Sequence, residues 1–250
     1  MLFDKPTINE EEGMQSVVHS SRTVIGIGAV VLALLMAGCT GPAEGEAASG
    51  PGPEAGDDAA AVIASVESTD PELAADLREI LEQTQRFRDV EVALAEGYIP
   101  DPMDMCVTSS MEGYPVQLGG MGIHYFRPDL LGITEVEPRV AGMGIHEDFR
   151  EPGVLIYEPQ ADGSLRLVAV ENLIFEAPWR AAGHEGPPVF RGNEYFHLVE
   201  NPRTEVDEAH GFEPHFELHL WLYRENPTGL FTPFNPRVSC EHHVGSHAVH

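Results

Sequence analysis

The chain carries little positive charge, and almost none of it is lysine. It contains 14 lysine and arginine residues against 41 aspartate and glutamate residues, for a formal net charge of -27 at pH 7. Lys5 is the only lysine. Nucleic acids and anionic lipid headgroups are usually bound through basic patches. The composition therefore argues against nucleic acid as a partner and against a surface that binds lipid headgroups through charge.

The sequence also lacks the short motifs of common enzymes. It contains no GxSxG, no HExxH, no P-loop and no GxGxxG. This absence argues against the familiar hydrolase and nucleotide-binding classes. Any chemistry must then come from residues that lie apart in the sequence.

One apolar run is present near the start, and it is short. The segment "VIGIGAVVLALLM" at Val24–Met36 has thirteen residues, too few to span a bilayer but typical of a signal-peptide core. The small pair Ala-Gly and then Cys39 follow it, which resembles the lipobox of exported bacterial lipoproteins. The pattern predicts a signal peptide at residues 1–38, with the true start at Met14, and diacylation of Cys39. An ordinary secretory signal that leaves Cys39 free is the alternative.

These features predict a cell-envelope protein that is extracytoplasmic and anchored to a membrane through Cys39.

The next stretch is rich in glycine, proline, alanine and acidic residues and offers little to bury. Such a composition is typical of a flexible, disordered segment. We therefore predict a disordered acidic tether at residues 39–69.

Three cysteines are present, and lipidation of the first would leave Cys106 and Cys240 as one pair. In an exported protein such a pair is expected to form a disulfide. Closing so long a loop is worth about 4 to 5 kcal/mol in the chain-entropy model. Metal binding by the two thiolates is the alternative, and the absence of a CxxC spacing disfavours it.

A helix is predicted to begin at Asp70, where an acidic N-cap precedes Pro71 and an acid in the first turn. Apolar residues then recur at spacings of three and four as far as Leu94. We expect one long helix that ends at Gly97.

Beyond the helix, short apolar runs alternate with turns. The segments 153–159 and 165–175 flank an Asp-Gly turn and predict a β-hairpin. The segment "HFELHLWLY" at 215–223 fits a strand better than a helix, because its apolar residues alternate. The expected fold class is α+β: a long N-terminal helix packed on an antiparallel sheet or small open β-barrel, as a single globular domain at residues 70–240. Residues 241–250 are expected to be a disordered His-rich tail.

Three segments carry a resemblance to a known family. They are "GGMGIHYF", the hairpin "LIYEP" with "DGSLRLVAVE", and "ELHLWLYRENPTGLFTPFNPRVSC". Together they resemble a family of exported bacterial proteins of unassigned function, with an MGxHY motif, an LLYEP hairpin and an ELHxWxWxxNPxGxF…NPxVSC ending. The resemblance spans roughly Asp89 to Cys240. It implies the domain limits and the disulfide, and it implies no activity.

The motif Gly-Met-Gly-Ile-His occurs twice, at residues 120–124 and 142–146. The first copy continues into the aromatic pair Tyr-Phe and predicts a strand, so His124 remains a candidate ligand. The second copy continues into "EDFREPG", which predicts a solvated connection. His146 is therefore not expected to belong to a site.

Histidines and a glutamate alternate along the strand predicted at 215–223. Residues two apart on a strand lie about 6.6 to 7 Å apart and can share an ion, whereas residues four apart lie about 13 Å apart and cannot. Only one of His215 and His219 can therefore serve the same metal as Glu217. We choose His219, because it lies deeper in the strand and next to Trp221.

His124 and Glu171 are expected to complete this site. The glycines on both sides of Met121 allow close backbone approach at the His124 strand. Glu171 is predicted to share a buried strand face with Leu165, Leu167, Ala169 and Leu173, and a buried carboxylate needs a partner. The four residues His124, Glu171, Glu217 and His219 would form a mixed nitrogen and oxygen site suited to Zn, Cu, Mn or Fe.

The function predicted is that of a lipid-anchored extracytoplasmic protein that binds a transition metal or a small ligand in a His/Glu cleft. Whether the protein is an enzyme is left open; a metal-bound water would act as nucleophile if it were. The alternative is a non-catalytic interaction or envelope-structural lipoprotein with structural histidines. In that case Glu171 would pair with Arg166 or Arg139, and partners would dock beside Trp221, Phe231 and Phe234.

Overall fold

The computed structural model describes residues 55–245. The expected signal peptide at 1–38, the lipidation site Cys39, the tether as far as residue 54 and the last five residues of the tail lie outside the described residues. Within the described part, no helix combines the length and the apolar character needed to cross a membrane.

The described residues form five α-helices, eleven β-strands and three short 3-10 helices. The helices are α1 Ala55–Glu67, α2 Pro71–Thr84, α3 Val90–Ala95, α4 Pro128–Leu131 and α5 Glu176–Ala181. The strands are β1 Ile99–Pro100, β2 Cys106–Thr108, β3 Gly120–Phe126, β4 Ile133–Glu135, β5 Ala141–Gly142, β6 Val154–Pro159, β7 Leu165–Phe175, β8 Val189–Phe190, β9 Asn193–Glu194, β10 Phe196–Leu198 and β11 His215–Leu220. The 3-10 helices are Gln85–Arg88, Ser109–Glu112 and Val116–Leu118.

A seven-stranded antiparallel sheet forms the centre of the α+β fold. Its order is β1-β3-β6-β7-β11-β10, and β2 also pairs with β3. The sheet is open, so the barrel alternative does not apply. The predicted hairpin is confirmed as β6 and β7, and Gly163 takes a φ of +83° in its turn. The strand prediction at 215–223 is confirmed for His215–Leu220, which form β11, while residues 221–223 lie beyond the strand.

The expected single long helix is wrong. Asp70 does cap its start, since its side chain accepts a hydrogen bond of 2.8 Å from the backbone N–H of Leu73. The helix then ends at Thr84 and tightens into a 3-10 turn, and Asp89 caps α3 as a new N-cap. The capping carboxylate of Asp89 competes with helix continuation. Leu94, at the end of the apolar pattern, is 41% exposed.

The tether prediction is wrong for the part that the structure describes. Residues 55–67 form helix α1, and the apolar side chains Ala59, Val62 and Ile63 are buried against the core. These residues recur at spacings of three and four, which makes one apolar helical stripe. The Gly/Pro-rich composition of the preceding segment conceals this stripe in the sequence. Because α1 packs against the core, the globular part begins before residue 70.

The two faces of the central sheet have different coverings. One face, here called the helix face, packs Leu155, Tyr157 and Leu218 into the same core as α1 and α2. The other, here called the loop face, packs Phe126 and Trp221 in a second core that is covered by connecting segments. The loop face carries the candidate site.

A register shift in the hairpin decides which residues accompany Glu171. The pairing of β6 and β7 shifts between Ile156 and Tyr157. Such a bulge inverts the alternation of faces on one side of the shift. Leu167 consequently packs in the helix-face core and Leu165 packs against it, whereas Ala169 and Leu173 lie on the loop face. The predicted common face is therefore wrong for Leu165 and Leu167.

Covalent and polar contacts hold the C-terminal segment to the domain. Cys106 and Cys240 form the predicted disulfide, with a Cα–Cα distance of 5.7 Å, so the thiolate metal site does not apply. Beyond it, Nε2 of His243 lies 3.0 Å from the backbone carbonyl of Asp104. The disordered-tail prediction is therefore wrong for residues 241–245.

The expected docking surface beside Trp221 is also wrong. The Trp221 side chain is fully buried, and its indole N–H donates a hydrogen bond of 2.6 Å to the carbonyl of Thr232. Phe234 is 6% exposed and Phe231 is partly buried. Trp221 and Phe234 are thus part of the protein interior, and of the three only Phe231 keeps appreciable exposed surface.

Candidate metal centre

Six buried ionisable side chains lie next to one another on the loop face. Four are histidines and two are glutamates: His124, Glu171, His210, His215, Glu217 and His219. Four of the six have no exposed surface, and the most exposed, His210, is 8% accessible. This is an unusual place for ionisable groups, because burial without partners costs several kcal/mol per charge.

The sheet register positions five of these side chains. Strand β11 presents His215, Glu217 and His219 on one face, because successive residues of a strand alternate. His219 lies directly opposite Glu171 of β7. Across β6, His124 of β3 pairs with Ile156, two positions from Val154, which pairs with Glu171. His124 therefore reaches Glu171 along the diagonal.

Three of the four predicted residues converge on one point. Nε2 of His124 lies 3.4 Å from Oε2 of Glu171, and Nε2 of His219 lies 3.6 Å from the same oxygen. One potential ligand atom from each residue falls within 4.8 Å of the other two. The convergence of two imidazoles on one carboxylate oxygen is the central geometric feature of the site.

Glu217, the fourth predicted residue, lies mainly with two other histidines. Its Oε2 is 3.5 Å from Nε2 of His215 and 3.8 Å from Nε2 of His210. Its other oxygen, Oε1, is 3.7 Å from Nδ1 of His219. Glu217 thus adjoins the first group through His219 and belongs to a second group with His210 and His215.

Sequence reasoning missed His210 and set His215 aside. His215 was excluded on the assumption of one metal centre, although its alternation with Glu217 was visible. His210 lies in the connection before β11 with a φ of +36°, and no periodic pattern links it to the strand. In "HFELH" one histidine lies two positions before Glu217 and another lies two positions after it, and this spacing is the signal from which a second centre could have been predicted.

Burial dominates the electrostatics of the first group. It lowers the pKa of His124 well below 6.5, and the neighbouring His219 and His210 lower it further. It raises the pKa of Glu171 well above 4.5, and the charge of Glu217 adds to this effect. Burial also lowers the pKa of His219. The folded protein therefore favours the uncharged forms of all three groups.

Glu217 has the opposite tendency. Burial raises its pKa, but contact with His215 and the positive charge that the surrounding histidines can carry outweigh burial and lower it to about 2. His210 has a pKa lowered to about 4, chiefly by burial. Glu217 thus favours its charged form, whereas His210 and His219 favour their uncharged forms.

The polar atoms of the cluster also lack ordinary partners. Nine polar atoms of the cluster have no partner at hydrogen-bond geometry among the described residues. They are one atom on each of His124, His210 and His215, and two on each of Glu171, Glu217 and His219. On the helix face, by contrast, the buried hydroxyls of Tyr98 and Tyr157 donate to backbone carbonyls at 2.6 and 2.7 Å, although that of Tyr195 has no such partner. Buried polar groups without partners are rare in native proteins.

The arginines proposed as structural partners of Glu171 lie elsewhere. Arg166 pairs with Asp58, and Arg139 pairs with Asp207 and with the backbone carbonyl of Phe212. His146 is also outside the cluster, since its Nε2 lies 2.7 Å from the carbonyl of Glu151. The assignment of His146 to a connection is consistent with this placement.

Two cavities adjoin the cluster. The first is lined by His124, Glu171, His210 and Asp101, together with apolar side chains. The second, of about 120 Å³, is lined by His210, Glu112 and three methionines, Met103, Met105 and Met111. His210 borders both cavities, so it lies between the cluster and the more open side of the molecule.

Comparison of the chain with protein-family models, with curated proteins and with solved structures finds no match in any of the three.

Proposed function

We propose that this protein binds a divalent first-row transition metal at His124, Glu171 and His219, outside the cytoplasm and anchored to a membrane through Cys39. The observation that supports the proposal is the convergence of two imidazole nitrogens on one oxygen of a buried carboxylate.

The distances between the ligand atoms favour a metal site over a hydrogen-bonded cluster. A hydrogen bond between nitrogen and oxygen has a length of about 2.7 to 3.2 Å. Two ligands held about 2.0 to 2.2 Å from one tetrahedral ion lie about 3.3 to 3.6 Å from each other. The nitrogen–oxygen distances of 3.4 and 3.6 Å in the first group fit the second case.

The ligand types limit the metal. Two imidazoles and one carboxylate suit Zn, Mn, Fe or Cu, whereas Ca and Mg prefer oxygen ligands alone. Three protein ligands leave a coordination position for water or for a small ligand, as in catalytic zinc sites. The adjoining cavity that His124 and Glu171 line has a volume of about 10 Å³, which is room for a water molecule at that position; a larger ligand would need the surrounding side chains to move.

The disulfide supports the location. Structural disulfides are typical of exported proteins and rare in a reducing cytosol, and Cys106–Cys240 joins residues separated by 134 positions. The lipobox-like sequence before Cys39 and the resemblance to exported bacterial proteins favour the same compartment.

The test uses the full chain without an affinity tag of histidines, with the disulfide formed. The protein is dialysed against a chelator, reloaded separately with zinc, manganese, iron and copper, and measured by elemental analysis and thermal unfolding. We expect retained metal in stoichiometric amount and a stability gain of about 2.7 kcal/mol at a free metal concentration of 100 times Kd.

Two histidine variants provide the matched comparison. His124→Ala should weaken metal binding at the first group by at least about 100-fold, because it removes a ligand, while His146→Ala should bind as the unaltered chain does. The absence of stoichiometric metal from both dialysed and reloaded protein would contradict the proposal. Equal binding by the two variants would contradict the assignment of His124.

A further inference from the structure

We infer that His210, His215 and Glu217 form a second metal site and that Glu217 couples it to the first. This inference rests on the proposed function, because it adds a second ion beside the one held by His124, Glu171 and His219. It differs in its observable consequence, which is the number of ions bound per chain.

The second group repeats the geometry of the first. Nε2 of His215 and Nε2 of His210 both approach Oε2 of Glu217, at 3.5 and 3.8 Å. The three residues offer ligand atoms that lie within 4.8 Å of one another. These separations exceed hydrogen-bond lengths and resemble those between ligands of one ion.

The ring orientation of His215 provides an independent argument. Its Nδ1 lies 2.9 Å from the backbone carbonyl of Glu213, and a carbonyl can only accept, so Nδ1 carries the hydrogen. In the neutral ring, Nε2 then directs a lone pair at the carboxylate of Glu217. Two acceptors then face each other unless a second proton on the ring or a metal cation lies between them, and the His215–Glu217 distance of 3.5 Å is longer than the hydrogen bond that a proton would form. A histidine held by a carbonyl through its other nitrogen is the usual arrangement of a metal ligand.

One ion cannot serve all six side chains. His215 and His219 are four residues apart on β11, which separates their backbones by about 13 Å. The two histidines must therefore serve different centres. Glu217 lies between them on the same face of the strand, and its two oxygens point to different groups.

This position lets Glu217 contact both groups of candidate ligands. Oε2 faces the second group, and Oε1 lies 3.7 Å from Nδ1 of His219, whose Nε2 faces Glu171. At 3.7 Å this contact is longer than a hydrogen bond; a closer approach with Oε2 on the second ion would let Oε1 accept a hydrogen bond from Nδ1–H of His219. That bond would orient His219 toward the first ion. Glu217 should therefore affect both sites, whereas His124 and His215 should each affect one.

The experiment counts zinc ions on the disulfide-bonded full chain by elemental analysis and by calorimetric titration. We expect two per chain for the unaltered protein and for the control His146→Ala. His124→Ala and His215→Ala should each bind one. Glu217→Gln should lose the second ion and weaken the first site by about 10- to 100-fold, the usual effect of removing a partner that orients a ligand.

The outcomes separate this inference from the proposed function. The absence of bound zinc, manganese, iron and copper at any concentration overturns both. One zinc per chain that depends on His124 and not on His215 overturns the second site alone. If the unaltered chain binds two zinc ions and Glu217→Gln leaves the affinity of the first site unchanged, the coupling is overturned.

A variant that fails to fold does not end the test. The unaltered chain can be titrated with Co(II), whose visible absorption reports each occupied site. Two saturating steps support the second site and one step overturns it. His210→Ala provides a replacement for His215→Ala, since it removes a ligand that lies in a connection outside the sheet.

Discussion

The two copies of Gly-Met-Gly-Ile-His are identical in sequence and differ in almost every structural respect. In the first copy, Met121 is fully buried and Ile123 is 7% exposed within β3. In the second, Met143 is 62% and Ile145 is 44% exposed, in a connection after β5. Five identical residues thus lie in a central strand in one place, and in the other they run from the end of β5 at Gly142 into a surface loop.

What the copies share is close backbone packing at their glycines. A Cβ atom on Gly122 would lie 2.7 Å from the carbonyl oxygen of Tyr157, and one on Gly144 would lie 2.3 Å from that of Leu130. The motif therefore allows the chain to run against neighbouring backbone in both places. The direction in which its methionine, isoleucine and histidine point is decided by the neighbour, which is a strand for one copy and α4 for the other.

The largest difference is expected at the methionines. Met121→Ala removes a fully buried side chain and should lower the free energy of unfolding by about 2 to 5 kcal/mol. Met143→Ala should change it by less than about 0.5 kcal/mol, because that side chain is mostly solvated. Urea unfolding of the disulfide-bonded protein measures both. Similar losses in the two variants would break the comparison.

The glycines should behave alike in both copies. Gly122→Ala combines a strained φ of +114° with a backbone clash, and Gly144→Ala introduces a backbone clash. Each should destabilise the protein by about 1 to 3 kcal/mol. Gly186→Ala is the control, since a Cβ atom added there would meet no heavy atom of the described residues within 4 Å. A tolerated Gly144→Ala would show that the second copy does not need its glycine.

In the metal-free protein, His124 of the first copy should make the free energy of unfolding depend on pH. Burial lowers the pKa of His124 in the folded state below 6.5, so the unfolded chain binds the proton first and stability falls as the pH drops below 6.5. His124→Gln removes this group. Between pH 6.5 and 5, the free energy of unfolding should fall less steeply in His124→Gln than in the unaltered chain. The two slopes should differ by up to about 1.4 kcal/mol per pH unit.

Thermal or urea unfolding of chelator-treated protein across that pH range measures the slope. The neighbours Glu171, His219 and His210 remain in both proteins, so the difference between the slopes isolates His124. An unchanged slope would indicate that His124 is protonated in the folded state, contrary to the expectation from its burial.

The smallest effect is expected at the second histidine. His146→Ala removes the contact between Nε2 and the carbonyl of Glu151 and should cost about 0.5 to 1 kcal/mol, the usual net value of one hydrogen bond. Urea unfolding with and without zinc measures the cost, and the added stability from zinc should be unchanged. A lost response to zinc would show that His146 belongs to the site after all.

Local signals in the sequence predicted the elements whose cause is local. The cap at Asp70, the Asp-Gly turn of the hairpin and the alternation in β11 depend on residues within a few positions of each other. The single long helix failed because Asp89 caps a new helix inside the apolar pattern. The tether prediction failed for residues 55–67 because the apolar stripe of α1 is short and follows a Gly/Pro-rich segment, and its burial against the core is a tertiary contact.

The candidate site was predictable only in part, for a related reason. The alternation of His215, Glu217 and His219 identified the ligand-bearing strand. The inclusion of His124 and Glu171 followed from motif context and expected burial. The separation into two groups could not follow, because it depends on the loop that brings His210 over the sheet.

The sequence by itself determined the acidic, nearly lysine-free composition, the cysteine pair, the hairpin and the strand on which a glutamate alternates with two histidines. The tertiary structure decided which copy of Gly-Met-Gly-Ile-His is a strand, which carboxylate meets which imidazole, and that Glu217 lies between two groups. These outcomes depend on strand register, which places His219 opposite Glu171. Register arises from contacts between distant segments, and one residue of shift would turn every ligand to the other face.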